Sequence, residues 1–422
     1  MKKILTSAIC AIVLLNVSAQ NIQLPQWTVG DYTLTLLSEG QQKGNTSILL
    51  HADGDILAKY APDGSFPNAV NCFLITTKTG RTILVDAGFG RKLFENLVSL
   101  NVKPENIDVV LLTHMHGDHI GGLIKDGQAT FPKAQVFIAK AEFDYWSKQN
   151  NPLVKTVLAT YKKQIKTFVP DEIGAPTAKK LIGDCPEIKA IAAYGHTPGH
   201  SMFLIDAGEK PLLIWGDLTH AMAVQMPHPE ISVTYDVDPE TAVQSRLKVL
   251  DYAAKNTLTI AGMHIAWPAV GTIEKTGKQS FKFINKQENM KEVCQFLNDC
   301  GMYYIATLDD NNQPRVRPFG TATIFEDKLY IQTGKKKNVA KQMLKNPKVE
   351  ICAHNIPAGK WLRIEAEVVE DDRVEAKEFV LNQYPSLKSI YDARDNNTLV
   401  LYLKNVTATY ASFSEEPKVV KW

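Results

Sequence analysis

The residues best equipped for chemistry lie in the run Thr113-His114-Met115-His116-Gly117-Asp118-His119, which Gly121-Gly122 follows. Neutral imidazoles with a carboxylate suit zinc or another first-row divalent ion, whereas calcium or magnesium would want oxygen ligands. His114 and His116 can reach one cation, and Asp118 and His119, just beyond the turn, a second. Three further pieces follow in order: Gly195-His196-Thr197-Pro198-Gly199-His200, Trp215-Gly216-Asp217 and Ala261-Gly262-Met263-His264.

Such ligands need rigid platforms, and the elements before them supply these. Val109-Val110-Leu111-Leu112 is a short continuous apolar run, as expected of a strand buried on both faces. Residues 71–75, 82–85, 134–139 and 211–215 are of the same kind, and 257–260 precedes the last histidine. Residues 140–148, 153–166 and 239–256 read as helices, the last with Asp238 as N-cap and Pro239 in its first turn. Strands and helices thus alternate from Trp27 to about Gly271. Each candidate ligand sits where a strand-like run ends, as expected if the strands deliver ligands to one edge of the sheets.

Over nearly all of residues 27–275 this pattern resembles the metallo-β-lactamase superfamily. The resemblance implies an α/β fold, an αββα sandwich, and two divalent metal ions, expected to be zinc. It places one metal on His114, His116 and His196, the other on Asp118, His119 and His264, and Asp217 between the two. Asp86, in Asp86-Ala87-Gly88, is expected to orient a metal-bound imidazole. An Asp at the bridging place points toward lactonases, thioesterases and phosphotriesterases. Gly216-Asp217-Leu218-Thr219-His220, Val224-Gln225, Asp236-Val237-Asp238-Pro239 and His264-Ile265-Ala266-Trp267-Pro268 resemble the group of methyl-parathion-type phosphotriesterases and acyl-homoserine lactonases. That group shows Pro-Phe-Pro-Gly after the last His, where this chain has Ala266-Trp267-Pro268-Ala269.

The expected reaction is hydrolysis of a small-molecule lactone, ester or phosphotriester by a hydroxide shared between the cations. Asp217, Asp118 and His220 are the candidate catalytic groups, the last two as proton relays. His200 is expected to play a supporting role, and His51 and His228 to be ordinary surface residues. Residues 61–69 and Trp267 are expected in the pocket wall.

Residues 276–287 are polar and rich in Lys and Gln, and read as a linker between a hydrolase domain of residues 20–275 and a second domain of 288–422. Residues 288–299 look like an amphipathic helix. Strand-like runs follow at 303–308, 315–324, 328–333, 349–354, 361–369 and 398–410, with turn chemistry at Asp309-Asp310-Asn311-Asn312 and Glu326-Asp327. The ordered set Pro314 to Gly320, Leu329 to Gly334, the Lys335-Lys336-Lys337 cluster, Asn346-Pro347 and Trp361-Leu362-Arg363 resembles the pyridoxamine-5′-phosphate-oxidase-like split barrels. That resemblance implies a smaller, mostly-β domain that binds flavin mononucleotide and forms a homodimer. Thr333, Lys336 and Lys337 would serve the phosphate, Arg317 would add a charge or a contact to the ring, and Gln342 is a further expected cofactor contact.

Two other readings remain open at this level. In one, the metal domain holds di-iron and exchanges electrons with flavin, against which stands His116 where flavodiiron proteins place a Glu. In the other, the barrel is a non-catalytic binding or dimerisation module.

The bulk numbers agree with a globular, multi-domain chain. Its 422 residues exceed one ordinary core, and 47 Lys and Arg against 45 Asp and Glu give no reason to expect nucleic acid or an anionic membrane as partner. Lys2 and Lys3, the apolar run 4–17 and the small residues Val17-Ser18-Ala19 have the layout of a secretory signal peptide ending at residue 19. An exported protein without a stable membrane span is therefore expected, periplasmic or secreted. Cys72, Cys185, Cys294, Cys300 and Cys352 are scattered and odd in number, so reduced, mostly buried thiols are expected.

Overall fold

The structure is a computed structural model and describes residues 24–175 and 180–422. The expected signal peptide, residues 1–19, lies outside the described residues. The chain divides into two compact units, one of residues up to Ala269 with Ile273–Lys282, the other of Val270–Thr272 with Phe283–Trp422.

The first unit is built on two sheets. One has seven strands in the order Gln26–Val29, Tyr32–Asn45, Ser65–Thr77, Thr82–Val85, Val109–Leu111, Gln135–Ala139 and Ile165–Phe168. Its last four strands run parallel, Ile83 facing Val109 and Val109 facing Gln135. Leu84, Val110, Leu112, Val136 and Ile138 are fully buried, which is why these strands read as unbroken apolar runs. The second sheet orders Ile188–Ala192, Ser201–Ile205, Leu212–Ile214 and Thr259–Ala261, the last two parallel. The strands Val270–Lys275 and Phe281–Ile284 follow in sequence. Asn71 joins the two sheets, its Nδ2 donating to the carbonyls of Gly262 (3.1 Å) and Ile265 (2.9 Å).

The helix Pro239–Lys255 starts as expected: the Asp238 side chain accepts from Thr241 N (3.1 Å), and Pro239 stands where no amide donor is needed. The expected helix over 153–166 is shorter. It runs Pro152–Thr160 behind an Asn151 cap, and residues Ile165–Phe168 instead pair in parallel with Gln135–Ala139. Gln164 ends the helix's reach by donating to the carbonyls of Phe131, Pro132 and Ala134.

The second unit is an antiparallel sheet in the order Pro314–Phe319, Tyr303–Leu308, Lys348–Asn355, Lys360–Glu370, Thr398–Ser412, Lys328–Gly334 and Thr323–Phe325, with Lys418–Lys421 paired to Thr398–Ser412. This mostly-β arrangement is that of a split barrel. Ile305, Ile331, Ile351, Leu362, Ile364, Leu399 and Leu401 fill its core. The expected turns use left-handed backbone at Asn312, Glu326 and Asp327. Residues 276–287, expected as a linker, contain the strand Phe281–Ile284 and the start of the helix Lys286–Cys300, which Asn285 caps by accepting from Glu288 N (2.7 Å).

Cys72, Cys185 and Cys294 are buried and Cys300 partly so. Cys352 is exposed, because it lies on the outer face of its strand, and none of the five is paired. Among the described residues no helix is long and apolar enough to cross a membrane.

Candidate metal centre

Parallel strands end on the same side, and their following residues converge. Thr82–Val85 leads into Asp86, Val109–Leu111 into the histidine motif, Leu212–Ile214 into Asp217, and Thr259–Ala261 into His264. All seven expected ligands come together. His114, His116, His196 and Asp217 offer ligand atoms that all lie within 4.8 Å of one another, and so do Asp118, His119 and His264.

In the first group His116 Nδ1 lies 3.0 Å from both His114 Nε2 and His196 Nε2. Three ring nitrogens this close present lone pairs to one point, an arrangement that calls for a cation or protons between them. Asp217 Oδ2 stands 3.3 Å from His196 Nε2 and 3.6 Å from His114 Nε2. In the second group His264 Nε2 is 3.4 Å from Asp118 Oδ2 and 3.1 Å from Asp217 Oδ2, and His119 Nε2 is 3.2 Å from Asp217 Oδ1. Asp217 therefore faces both groups. His119 Nε2 and Asp217 Oδ1 are buried and, although 3.2 Å apart, are not aligned for a hydrogen bond with each other or with any other described group. Buried polar atoms are normally paired, so these orphans fit metal ions well.

The electrostatics show what a cation would replace. Burial disfavours the charge on Asp217, yet His119, His264 and His114 hold its carboxyl well below the usual range. Burial also opposes the charge on His119, but Asp217, Asp118 and Asp86 raise its pKa well above normal. Burial works against His196 too, and its bonds to Asp217 and Asp236 bring it up to about 9. His116 is pushed down to about 3 by burial and by His196. Carboxylate charge is thus met by protons on some imidazoles, which divalent ions would displace.

Behind the ligands, most rings are held from the far side. His119 Nδ1 is 2.6 Å from Asp86 Oδ2, His264 Nδ1 donates to Ala69 O (2.9 Å), and His114 Nδ1 is 3.1 Å from Thr113 Oγ1. Asp86 plays the expected part, and also accepts from Thr113 N and Oγ1. His200 is structural, with burial pushing its pKa down to about 3. It donates from Nδ1 to Ala193 O and accepts at Nε2 from Asp217 N (2.9 Å each), which fixes the loop bearing Asp217. Gly216 (φ +60°) is required there, because a Cβ would come within 2.5 Å of His200 Nε2.

His220 Nε2 is 3.1 Å from Asp217 Oδ2, its ring stacks on His264 (4.9 Å, 23°), and its buried Nδ1 has no partner. His51 is exposed, and His228 binds Glu230 (3.0 Å) near the surface. The pocket over the His and Asp cluster has a volume of about 630 Å³. Of the expected wall segment 61–69 only Asn68 lines it. Trp267 is exposed, its amide held by Gln41 Oε1, and the wall is formed instead by residues 42–45, Ile48, Phe89, Arg91 and Tyr235.

Sequence reasoning missed three supporting residues. Asp236 Oδ1 is 2.8 Å from His196 Nδ1. The buried Glu142 accepts from Met115 N and Gly199 N (2.9 Å each) and from Trp146 Nε1 (2.6 Å), which ties two ligand loops together. The buried Arg246 donates to the carbonyls of Leu218, Pro229 and Ile231. Only the run containing Asp236 carried a signal. An Asp236→Asn variant is expected to bind metal about 10–100-fold more weakly, because His196 loses the carboxylate that orients it. Competition with a chromogenic chelator measures this, and an unchanged affinity would show the contact to be incidental.

In the second unit Arg317 Nη2 donates to Gln342 Oε1 (2.6 Å), and Nη1 donates to Thr307 Oγ1 (2.8 Å). Two of the expected flavin contacts therefore meet each other. Thr333 is buried at the end of Lys328–Gly334, Lys336 N donates to Asn397 Oδ1 (3.1 Å), and Lys337 precedes the helix Asn338–Lys345. The neighbouring Lys335 is paired with Glu370 and Asp372.

The fold and this cluster of His and Asp are of the kind that metal-dependent hydrolases use. Residues 66–264 match the family profile described as the metallo-beta-lactamase superfamily, and residues 290–410 match that of pyridoxamine 5'-phosphate oxidase. A solved structure described as hydrolase AbOPH in the beta lactamase superfamily is 30% identical, over 62% of this chain and 96% of that one, with a TM-score of 0.54. The chain belongs to the metallo-beta-lactamase superfamily, with a pyridoxamine-phosphate-oxidase-type domain on its C-terminal side. A second structure, AidC, a dizinc quorum-quenching lactonase, is 25% identical over 62% of this chain and 96% of its own, with a TM-score of 0.56. The uncharacterized protein YobT of Bacillus subtilis is 31% identical over 142 residues, 32% of this chain and 56% of YobT, so the chain spans about half the length of that curated relative.

Proposed function

We propose that this protein is a dinuclear hydrolase of a lactone, ester or phosphotriester. The observation that carries the reading is Asp217, buried, its Oδ2 beside His114 and His196 of one half of a seven-residue His and Asp cluster and beside His264 of the other, and its Oδ1 beside His119. Two divalent ions, zinc by the donor chemistry, would sit on His114, His116 and His196 and on Asp118, His119 and His264, and would supply Lewis acidity and a water acidified toward neutral pKa. The side chains do the rest. Asp86, Asp236 and the Ala69 carbonyl hold three of the imidazoles in one orientation. The pocket has room for an acyl or triester group, and Ile48, Val70 and Phe89 give it an apolar wall. His220, through its unpartnered Nδ1 or through Nε2, and Asp118 can hold the proton the leaving group needs. The likeness to a dizinc lactonase supports this choice of substrate class.

The same reading takes the second unit as a flavin mononucleotide-binding and dimer-forming module, for which the oxidase-type match is the support. It also takes the protein as exported, on the strength of its N-terminal sequence. One preparation tests the main points. Metal analysis should give about two equivalents of zinc per chain, the visible spectrum should show flavin, and a panel of lactones, thioesters and phosphotriesters should reveal turnover that chelation abolishes. Turnover that survives chelation would overturn the hydrolase reading, and a colourless protein that does not take up added flavin the flavin reading.

A further inference from the structure

The metal pocket's acidic residues are spent on the ligand set, whereas its basic ones are not. Asp118 and Asp217 are the acidic residues in the lining, and both face the metal positions. Lys43 and Arg91 stand in the same lining. Lys43 has a surface partner, Asp63, at 3.1 Å. Among the described residues the Arg91 guanidinium forms no salt bridge. It lies instead over the Phe89 ring, its Cζ 4.4 Å from the centroid.

The loop that presents this pair is clamped. Glu39 accepts from Phe89 N through Oε2 (2.9 Å) and from Arg91 N through Oε1 (2.7 Å). Gly90 (φ +81°) packs against Gly122, just beyond the histidine motif, and a Cβ there would come within 2.8 Å of Gly122 Cα. Phe89 keeps 42% of its surface exposed at the pocket rim. A cation stacked on an aromatic face, fixed by its backbone and lacking a counter-ion, is a ready site for an anionic group. Arginine offers a planar fork that fits a carboxylate or a phosphate.

We propose that Arg91, supported by Phe89 and Lys43, is an anion-recognition subsite, and that the substrate is an ester or lactone carrying a carboxylate or phosphate on its non-reacting portion. This rests on the hydrolase reading for the reaction, but not for the binding. In the reaction itself water adds across the acyl–oxygen bond, releasing an acid and an alcohol, and the anionic group remains unchanged.

The test uses the metal-loaded full chain and two matched pairs of probes. The substrate pair is 4-nitrophenyl hydrogen glutarate and its methyl ester, followed by nitrophenolate release. The non-hydrolysed pair is the corresponding 4-nitroanilide acid and its methyl ester, followed by calorimetry. Acid should be preferred over methyl ester by about tenfold or more in both kcat/KM and affinity, through KM and not kcat, and added salt should shrink the preference. Arg91→Ala should remove most of that ratio, Arg91→Glu should invert it, and Arg91→Lys should restore part of it. Equal binding of the two anilides by the wild type, or a ratio that Arg91→Ala leaves intact, overturns the subsite. An Arg91-dependent preference among the anilides without turnover of either ester leaves the subsite standing and counts against the hydrolase reading instead.

Discussion

An Asp217→Asn variant is expected to hold about one equivalent of divalent metal instead of two and to lose about a thousandfold in kcat/KM, a barrier increase of ~4 kcal/mol. The substitution keeps the volume of the side chain and removes its charge. Asp217 Oδ2 lies within 3.1–3.6 Å of His264, His220, His196 and His114, and Oδ1 lies 3.2 Å from His119, so this one carboxylate spans both halves. The backbone of the loop is held by His200 through the amide of residue 217, a bond that Asn retains. The fold should therefore survive, as circular dichroism will show, while atomic absorption reports the missing metal. Two equivalents with near-wild-type turnover would remove Asp217 from its shared position.

The second large effect is on stability. Glu142→Ala is expected to cost about 3–5 kcal/mol, because it strands two buried donors, Met115 N and Gly199 N, at roughly 1–3 kcal/mol each before relaxation, and the half-buried Trp146 Nε1. For a domain of this size that is a drop of about 10 °C in Tm. Metal affinity should fall as well, since Met115 separates two ligand histidines and Gly199 precedes His200. Glu142→Gln, which keeps an acceptor oxygen, should lose less. Differential scanning calorimetry decides the matter, and a melting curve that matches the wild type in the Ala variant would show that the loops are held by other means.

The ligands were legible in the sequence because each is local: a short motif directly after an apolar strand. The parallel pairing of Val109–Leu111 with its neighbours turns that local signal into a common edge. Glu142 and Arg246 were not legible, because each sits in an ordinary helix and gains its role from chain segments far away in sequence. The same holds for residues Ile165–Phe168. Their Lys- and Gln-rich surroundings suit a helix, and only pairing with Gln135–Ala139 makes them a strand. In the second unit the order of strands could be read, but not the bond that draws Arg317 onto Gln342. The pocket wall was misplaced for a related reason: Trp267 follows a ligand in sequence, whereas Phe89 and Arg91 reach the rim through the Glu39 clamp.

The two halves of the cluster are not equivalent. One presents three imidazoles and the other two imidazoles with Asp118, each completed by a share of Asp217. The first half is thus the softer and less anionic, the second the harder. On the proposed reading, a site so divided would distinguish between ions, and the two positions would fill neither in parallel nor with the same element.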